Sequence, residues 1–161
     1  VASEAAVAAA MDKYADMIQR ICFIQLKNVQ DTEDVFQEVF LKYFLRTEPF
    51  QSDAHEKAWL IRVAINTSKD NLKNFFKRNV IPLEQLVAEP ATLPQENQEI
   101  LTAMTRLPKN YRQVIYLFYI EGYSAVEIAD ILKKKSNTIY TWLARGREQL
   151  QKELGADYFE G

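Results

Sequence analysis

The chain has 161 residues, 48% of them hydrophobic, a formal net charge of −2 and one cysteine. That length admits one domain or two small ones with packed cores, and the slightly acidic balance argues against a free-standing, non-specific DNA binder. A lone Cys22 and a lone His55 exclude an internal disulfide and fall short of the ligands a metal ion needs, so no metal and no cofactor is expected.

Scarce Gly and clustered Pro favour helices over strands and turns. No run approaches the roughly 18 apolar residues of a membrane span, and no signal-peptide pattern is visible. A cytoplasmic protein without membrane insertion is expected. No function is placed on the Ala-rich start, Val1 to Ala10. From Met11 to Leu26, Met11, Tyr14, Ala15, Ile18, Ile21, Cys22 and Gln25 follow helical spacing, with one polar slip. Cys22 lies on that apolar face and reads as a core residue. Asn28 to Gln30 reads as a turn.

Asp31 to Phe44, DTEDVFQEVFLKYF, predicts a helix with Val35, Phe36, Val39, Phe40, Tyr43 and Phe44 as its apolar stripe. Asp31 or Thr32 is the expected cap, and the acids of the first turn offset the positive helix end. Asp34, Gln37, Glu38 and Leu41 form a second strip of acids, an amide and an apolar residue. Two readings stand for it: an ordinary solvated face, or a surface for a basic partner helix.

After a polar loop, Thr47 to Glu56, Ser52 or Asp53 is expected to cap a helix from Ala54 to about Arg78. Trp59, Leu60, Val63, Ala64, Leu72, Phe75 and Phe76 make its apolar face; Arg62, Asn66, Lys69, Lys73 and Lys77 lie on the other. Aromatics interleaved with cations suit nucleic acid, and equally a core stripe beside a solvated one. Asn79 to Gln95 carries Pro82, Pro90 and Pro94 without a clean period and reads as a linker. The expected division is a helical domain over 10–79, an acidic linker over 80–95 and a second helical domain over 96–155.

The second domain opens with a helix over Glu96 to Arg106, with Ile100, Leu101 and Met104 inward. A second helix runs from Tyr111 to Glu121 and ends at Gly122. Ser124 and Glu127 give a capping-box pattern for a third, expected to bury Val126, Ile128, Ala129 and Leu132. Ser136 is the expected cap of a fourth, with Ile139, Leu143, Leu150 and Leu154 inward. A short helix, a tight turn at Lys133-Lys134-Lys135 and a longer helix match a helix-turn-helix, whose second helix can enter a major groove. Charge follows the same division: the basic blocks Lys57 to Arg78 and Lys133 to Lys152 flank Asn79 to Thr105, which has no Lys or Arg.

Together these stretches resemble the extracytoplasmic-function group of bacterial sigma factors, over about Met11 to Leu154. DTEDVFQEVF looks like the family's polymerase-docking helix, KAWLIRVAINTSKDNLKNFFKR like its promoter-melting and minus-ten segment, and LPKNYRQVIYLFYIEGYSAVEIADIL with NTIYTWLARGREQL like its minus-thirty-five reader. The resemblance implies an all-α protein of two small helical domains. It implies core RNA polymerase, promoter DNA and an anti-sigma factor as partners, and neither an enzyme nor a small-molecule substrate. It assigns polymerase binding to Asp34, Gln37, Glu38 and Leu41. Minus-ten contacts fall to Arg62, Asn66, Lys69, Lys73, Lys77 and Arg78, and base capture to the Arg46 to Glu56 loop. Minus-thirty-five contacts fall to Ser136, Thr138, Tyr140, Thr141, Arg145 and Arg147. The chain departs from the family at Lys133 and Lys134, where Gly and an apolar residue are usual. Asn137 stands for a common Gly, and Trp142, expected to pack inward, for a common Arg. A free-standing helix-turn-helix regulator is the alternative; it would need a dimer and leaves the acidic strip unexplained.

Overall fold

The computed structural model describes residues 1–78 and 98–155. The expected linker lies outside them. Among the described residues every regular element is helical, and the chain falls into two compact units, Val1–Glu89 and Pro90–Gly161.

The first unit contains α1 (Glu4–Leu26), α2 (Val29–Leu45) and α3 (Asp53–Arg78), each packed on the other two. The Ala-rich start belongs to α1: Ser3 Oγ accepts from the Ala6 N–H at 3.0 Å, and alanine is the best helix former. The expected turn at Asn28 to Gln30 is shorter than its pattern suggested. Lys27 takes a left-handed φ of 57° at the end of α1, and Asn28 at once caps α2, its Oδ1 accepting from the Asp31 N–H at 3.0 Å. Asp31 and Thr32 are therefore inside the helix rather than its caps. Thr32 turns its hydroxyl back to the Asn28 carbonyl at 2.7 Å, and burial pushes the Asp31 carboxyl up, aided by the charge of Asp34.

Two neighbours on α3 rotate its buried arc away from the expected one. Leu60, Ile61, Ala64, Ile65, Thr67 and Ser68 are buried, whereas Trp59, Val63 and Leu72 are only half-buried. Ser52 is the cap, accepting from the His55 N–H at 3.0 Å. On α2 the stripe is Val35, Val39, Phe40 and Tyr43; Phe44, read as apolar interior, is exposed. Cys22 is fully buried, and burial pushes its thiol up to about 12.

The second unit contains α4 (Gln98–Met104), α5 (Lys109–Ile115), α6 (Ala125–Leu132) and α7 (Ser136–Leu154). Ile100, Leu101 and Met104 are buried as expected. The expected second helix is α5 running into a π-helical turn, Tyr116–Ile120, closed by a Tyr116 hydroxyl bond to Glu121 Oε2 at 2.7 Å. Such a wide turn alters which side chains face out, and Phe118 and Tyr119 are exposed here as an edge-on pair with centroids 5.0 Å apart. Gly122 then takes φ 79°, a conformation that favours glycine.

Ser124 and Glu127 form both bonds of the capping box, at 3.1 and 2.9 Å. The inward face of α6 is Ala125, Ile128, Ala129 and Ile131; Val126 is 59% exposed and Leu132 half-buried, one position off the expected register. On α7, Ile139, Gly146 and Leu150 are buried, with Leu143 and Leu154 half-buried at the margin. Gly146 permits a close helix crossing: a Cβ there would stand 2.8 Å from Ile115 Cγ1 and 3.2 Å from Tyr111 Cβ.

Candidate nucleic-acid and partner interfaces

Three surfaces carry the candidate residues. The first is the outward strip of α2. Val35, Val39 and Phe40 fix one side of that helix in the core, which forces Asp34, Gln37, Glu38 and Leu41 outward. All four are exposed, and Leu41 at 54% continues into Leu45 at 55%. An acidic strip ending in two uncovered leucines can take a partner that is both cationic and apolar.

Lys42 stands beside this strip. Its ammonium lies 3.7 Å from Glu38 and donates to Thr67 Oγ1 of α3 at 2.9 Å. It thereby ties α2 to the second surface, the solvent side of α3. There Asn66 and Lys73 are exposed and Arg62 and Lys69 half-buried, at spacings of four, three and four residues that keep them on one stripe. The side chains of Lys77 and Arg78 lie outside the described residues.

Beside that stripe is an open cleft of about 370 Å³, lined by Lys42, Leu45, Arg46, Thr47, Glu48 and Trp59. Trp59 joins the cleft to an aromatic cluster made with Tyr43 of α2 and Phe50 of the loop between α2 and α3. Phe50 stacks on Tyr43 at 5.7 Å and meets Trp59 edge-on at 5.6 Å. The Arg46 guanidinium lies 4.3 Å from the Phe50 centroid and 5.2 Å from that of Trp59, while its Nε donates to the Glu48 carbonyl at 2.9 Å. Tyr43 anchors the group, donating its hydroxyl to Glu56 at 2.7 Å. Burial first, then Glu56, pushes the phenol up to about 12. The loop backbone is held at Gln51, whose N–H donates to His55 Nδ1 at 3.0 Å.

Sequence reasoning gave this loop its range but put Trp59 in the core and did not single out Arg46. The usable signal was the run of Tyr43, Arg46, Phe50, His55 and Trp59, an aromatic at almost every turn with a cation among them.

The third surface is α7. At about 100° per residue, Tyr140 and Arg147 share one edge of its exposed side, and Thr141 and Arg145 the other. All four are exposed, with Ser136 and Thr138 half-buried at the flanks. Lys135, not Ser136, occupies the cap position, and it makes no side-chain cap bond. Thr141 donates its hydroxyl to the Asn137 carbonyl at 3.0 Å, which leaves its methyl and an acceptor lone pair for a ligand. Trp142 is half-buried at the edge of the core.

Comparison with known proteins matches these units to two families. Residues 10–74 match Sigma-70 region 2, and residues 97–150 match Sigma-70, region 4. The chain is 32% identical over 162 residues to the ECF RNA polymerase sigma factor SigW of Bacillus subtilis, spanning 89% of this chain and 86% of that protein. Two solved structures share the fold. The sigma factor RpoE, in a complex with the anti-sigma factor NepR from Bartonella quintana, aligns with a TM-score of 0.78 at 20% identity, over 92% of this chain and 96% of that one. CnrH, in complex with the cytosolic domain of CnrY, aligns with a TM-score of 0.70 at 21% identity, over 96% and 91%.

A helical bundle matched by region 2, followed by a helix-turn-helix matched by region 4, is the layout of a sigma-70-type initiation factor. The chain belongs to the extracytoplasmic-function family of RNA polymerase sigma factors. Among the described residues no helix is long and apolar enough to cross a membrane.

Proposed function

We propose that the α2 strip, Asp34, Gln37, Glu38 and Leu41, is the surface this sigma factor presents to a basic helical element of core RNA polymerase. On α3, Arg62, Asn66, Lys69 and Lys73 on the solvent side, with Lys77 and Arg78 further along the chain, handle the opened minus-ten strand. The aromatic cleft at Arg46 and Trp59 takes an unstacked base. The exposed side of α7, flanked by Ser136 and Thr138, reads the minus-thirty-five element through Tyr140, Thr141, Arg145 and Arg147. The working division is a docking and melting domain over 10–79, a linker over 80–95 and a promoter-reading domain over 96–155. The setting is the cytoplasm, and the chemistry is binding rather than catalysis. An anti-sigma factor is a further partner, by analogy with RpoE bound to NepR and CnrH bound to CnrY.

The observation that carries the docking role is the acidic, leucine-ended strip left uncovered on a helix whose other side is anchored. Docking also accounts for the net charge. Tethered to polymerase, two modest basic faces act at high effective concentration and need little free affinity. Run-off transcription with core RNA polymerase, with and without this protein, is the test. Discrete start sites that require the protein are expected; a transcript pattern identical to that of core alone would sink the reading. Tight, promoter-specific binding by a dimer of the isolated chain would instead favour the free-standing regulator.

A further inference from the structure

The turn between α6 and α7 breaks a local rule at each of three consecutive positions. Lys133 ends α6 in the left-handed region, φ 57°, where glycine is favoured because it carries no Cβ. The Lys134 N–H reaches back to the Ala129 carbonyl at 2.9 Å, and the Lys133 N–H to that of Asp130 at 3.4 Å. In that arrangement the position of Lys134 ordinarily holds an apolar residue packed on the helix; here it is an exposed lysine. Lys135 occupies the cap of α7, where Ser, Thr, Asp or Asn would accept from the first-turn N–H groups, and a lysine cannot.

Helix dipoles do not account for the cluster. Cations favour the negative end of α6 but oppose the positive end of α7, and these lysines sit at both. All three are exposed, and none forms an ion pair with a described residue. Local structure is thus worse at three positions in succession, and what is gained is three positive charges at the entry of α7 without an ion-pair partner among the described residues.

We propose that Lys133, Lys134 and Lys135 form a clamp for the phosphodiester backbone of DNA, seating α7 on the duplex independently of base sequence. The proposal rests on the reading of α7 as the promoter-facing helix and assigns the turn a role that reading leaves open. Phosphate contacts fix register and orientation without reading bases. A clamp at the turn would hold α7 at its first residues and leave Tyr140, Thr141 and Arg145 free to face base edges.

The test uses holoenzyme assembled from core RNA polymerase and the full chain, with promoter affinity measured across a salt series. Each lost phosphate contact flattens the slope of log affinity against log salt by about 0.9. The double variant Lys134→Gln/Lys135→Gln should therefore lose up to about 1.8 in slope, equally on promoters of different minus-thirty-five sequence, with core binding unchanged. Lys133→Gly should raise the thermal midpoint, by relieving the left-handed lysine, and at the same time flatten the slope. A purely structural turn would not show that opposition. Lys152→Gln makes the same charge change at the far end of α7, about 24 Å from Ser136 at 1.5 Å per residue, and should leave the slope alone.

An unchanged slope in the turn variants overturns the proposal, as does an equal loss in Lys152→Gln, which would make it net charge alone. Weakened core binding with an intact DNA slope also overturns it and makes an acidic protein surface the partner. Failure of the underlying reading is separate: it would appear as wild-type holoenzyme with no minus-thirty-five preference.

Discussion

Gly146 illustrates how one residue decides the packing of a unit. Alanine is favoured over glycine inside a helix by about 1 kcal/mol, so local propensity alone makes Gly146→Ala stabilising. Tertiary contact reverses the sign. The added Cβ would lie 2.8 Å from Ile115 Cγ1, a methylene held next to the branched Cβ of a fully buried side chain, with little room to swing away. The expected outcome is a net destabilisation of about 1–3 kcal/mol, as for other overpacked cores, read by chemical denaturation of the second unit. A gain in stability would mean that α5 and α7 can separate without cost.

Tyr43 makes a second residue-scale case, through pH. Its folded phenol is raised from the ordinary 10.0 to about 12, so the folded state holds that proton more tightly than the unfolded chain. The stabilisation is fully present below pH 10 and is lost as pH climbs towards 12. The buried Cys22 thiol, raised from 9.0 to about 12, acts in the same direction. Thermal melts of wild type should fall steeply across that alkaline range. Tyr43→Phe, lacking the bond to Glu56, should melt lower at neutral pH, by a hydrogen bond of about 1 kcal/mol, and converge on wild type near pH 12. Parallel curves at all pH values would show that folding does not change the phenol's hold on its proton.

At the scale of the helix, α2 and α3 carry distinct work on distinct faces. Reversing charge with Asp34→Lys and Glu38→Lys leaves the buried Val35, Val39 and Phe40 stripe untouched and sets cation against cation at the docking strip. Co-purification with core polymerase should drop at least tenfold, equivalent to about 1.4 kcal/mol, while circular dichroism stays that of wild type. A folded double variant that still co-purifies in full would remove α2 from the interface. On α3, Asn66 is exposed and its neighbour Thr67 is buried and held by Lys42. Asn66→Ala should therefore preserve the fold and polymerase binding and slow strand opening, seen as reduced permanganate reactivity of promoter thymines. If the bubble forms at the wild-type rate, the amide serves only as a solvated surface group.

For the whole molecule, a net charge of −2 sets the frame. Its cations are concentrated in the two stretches proposed to face DNA, and its acids include the docking strip. Such a chain should give weak, salt-sensitive binding to promoter DNA on its own and a footprint over both promoter elements only with core present. A specific footprint from the isolated chain at physiological salt would argue against tethering as the source of affinity.

How far the sequence alone reaches is clear from particular elements. The helices themselves, the caps and stops at Ser52, Gly122 and Ser124, the buried Cys22 and the family were legible, because propensity, periodicity and capping act within a few residues of chain. Only the tertiary structure decided which arc of each helix is buried, because that depends on where neighbours pack. Thus Ile61 and Ile65 displace Trp59 and Val63 on α3, and Ala125 and Ile131 displace Val126 and Leu132 on α6. It also decided contacts between elements, such as Lys42 reaching Thr67 or the Arg46 guanidinium lying over the Phe50 and Trp59 rings. The left-handed backbone at Lys133 belongs with these. Glycine is the residue that marks such a turn, and with lysine in its place the strand of letters carried the charge but not the conformation.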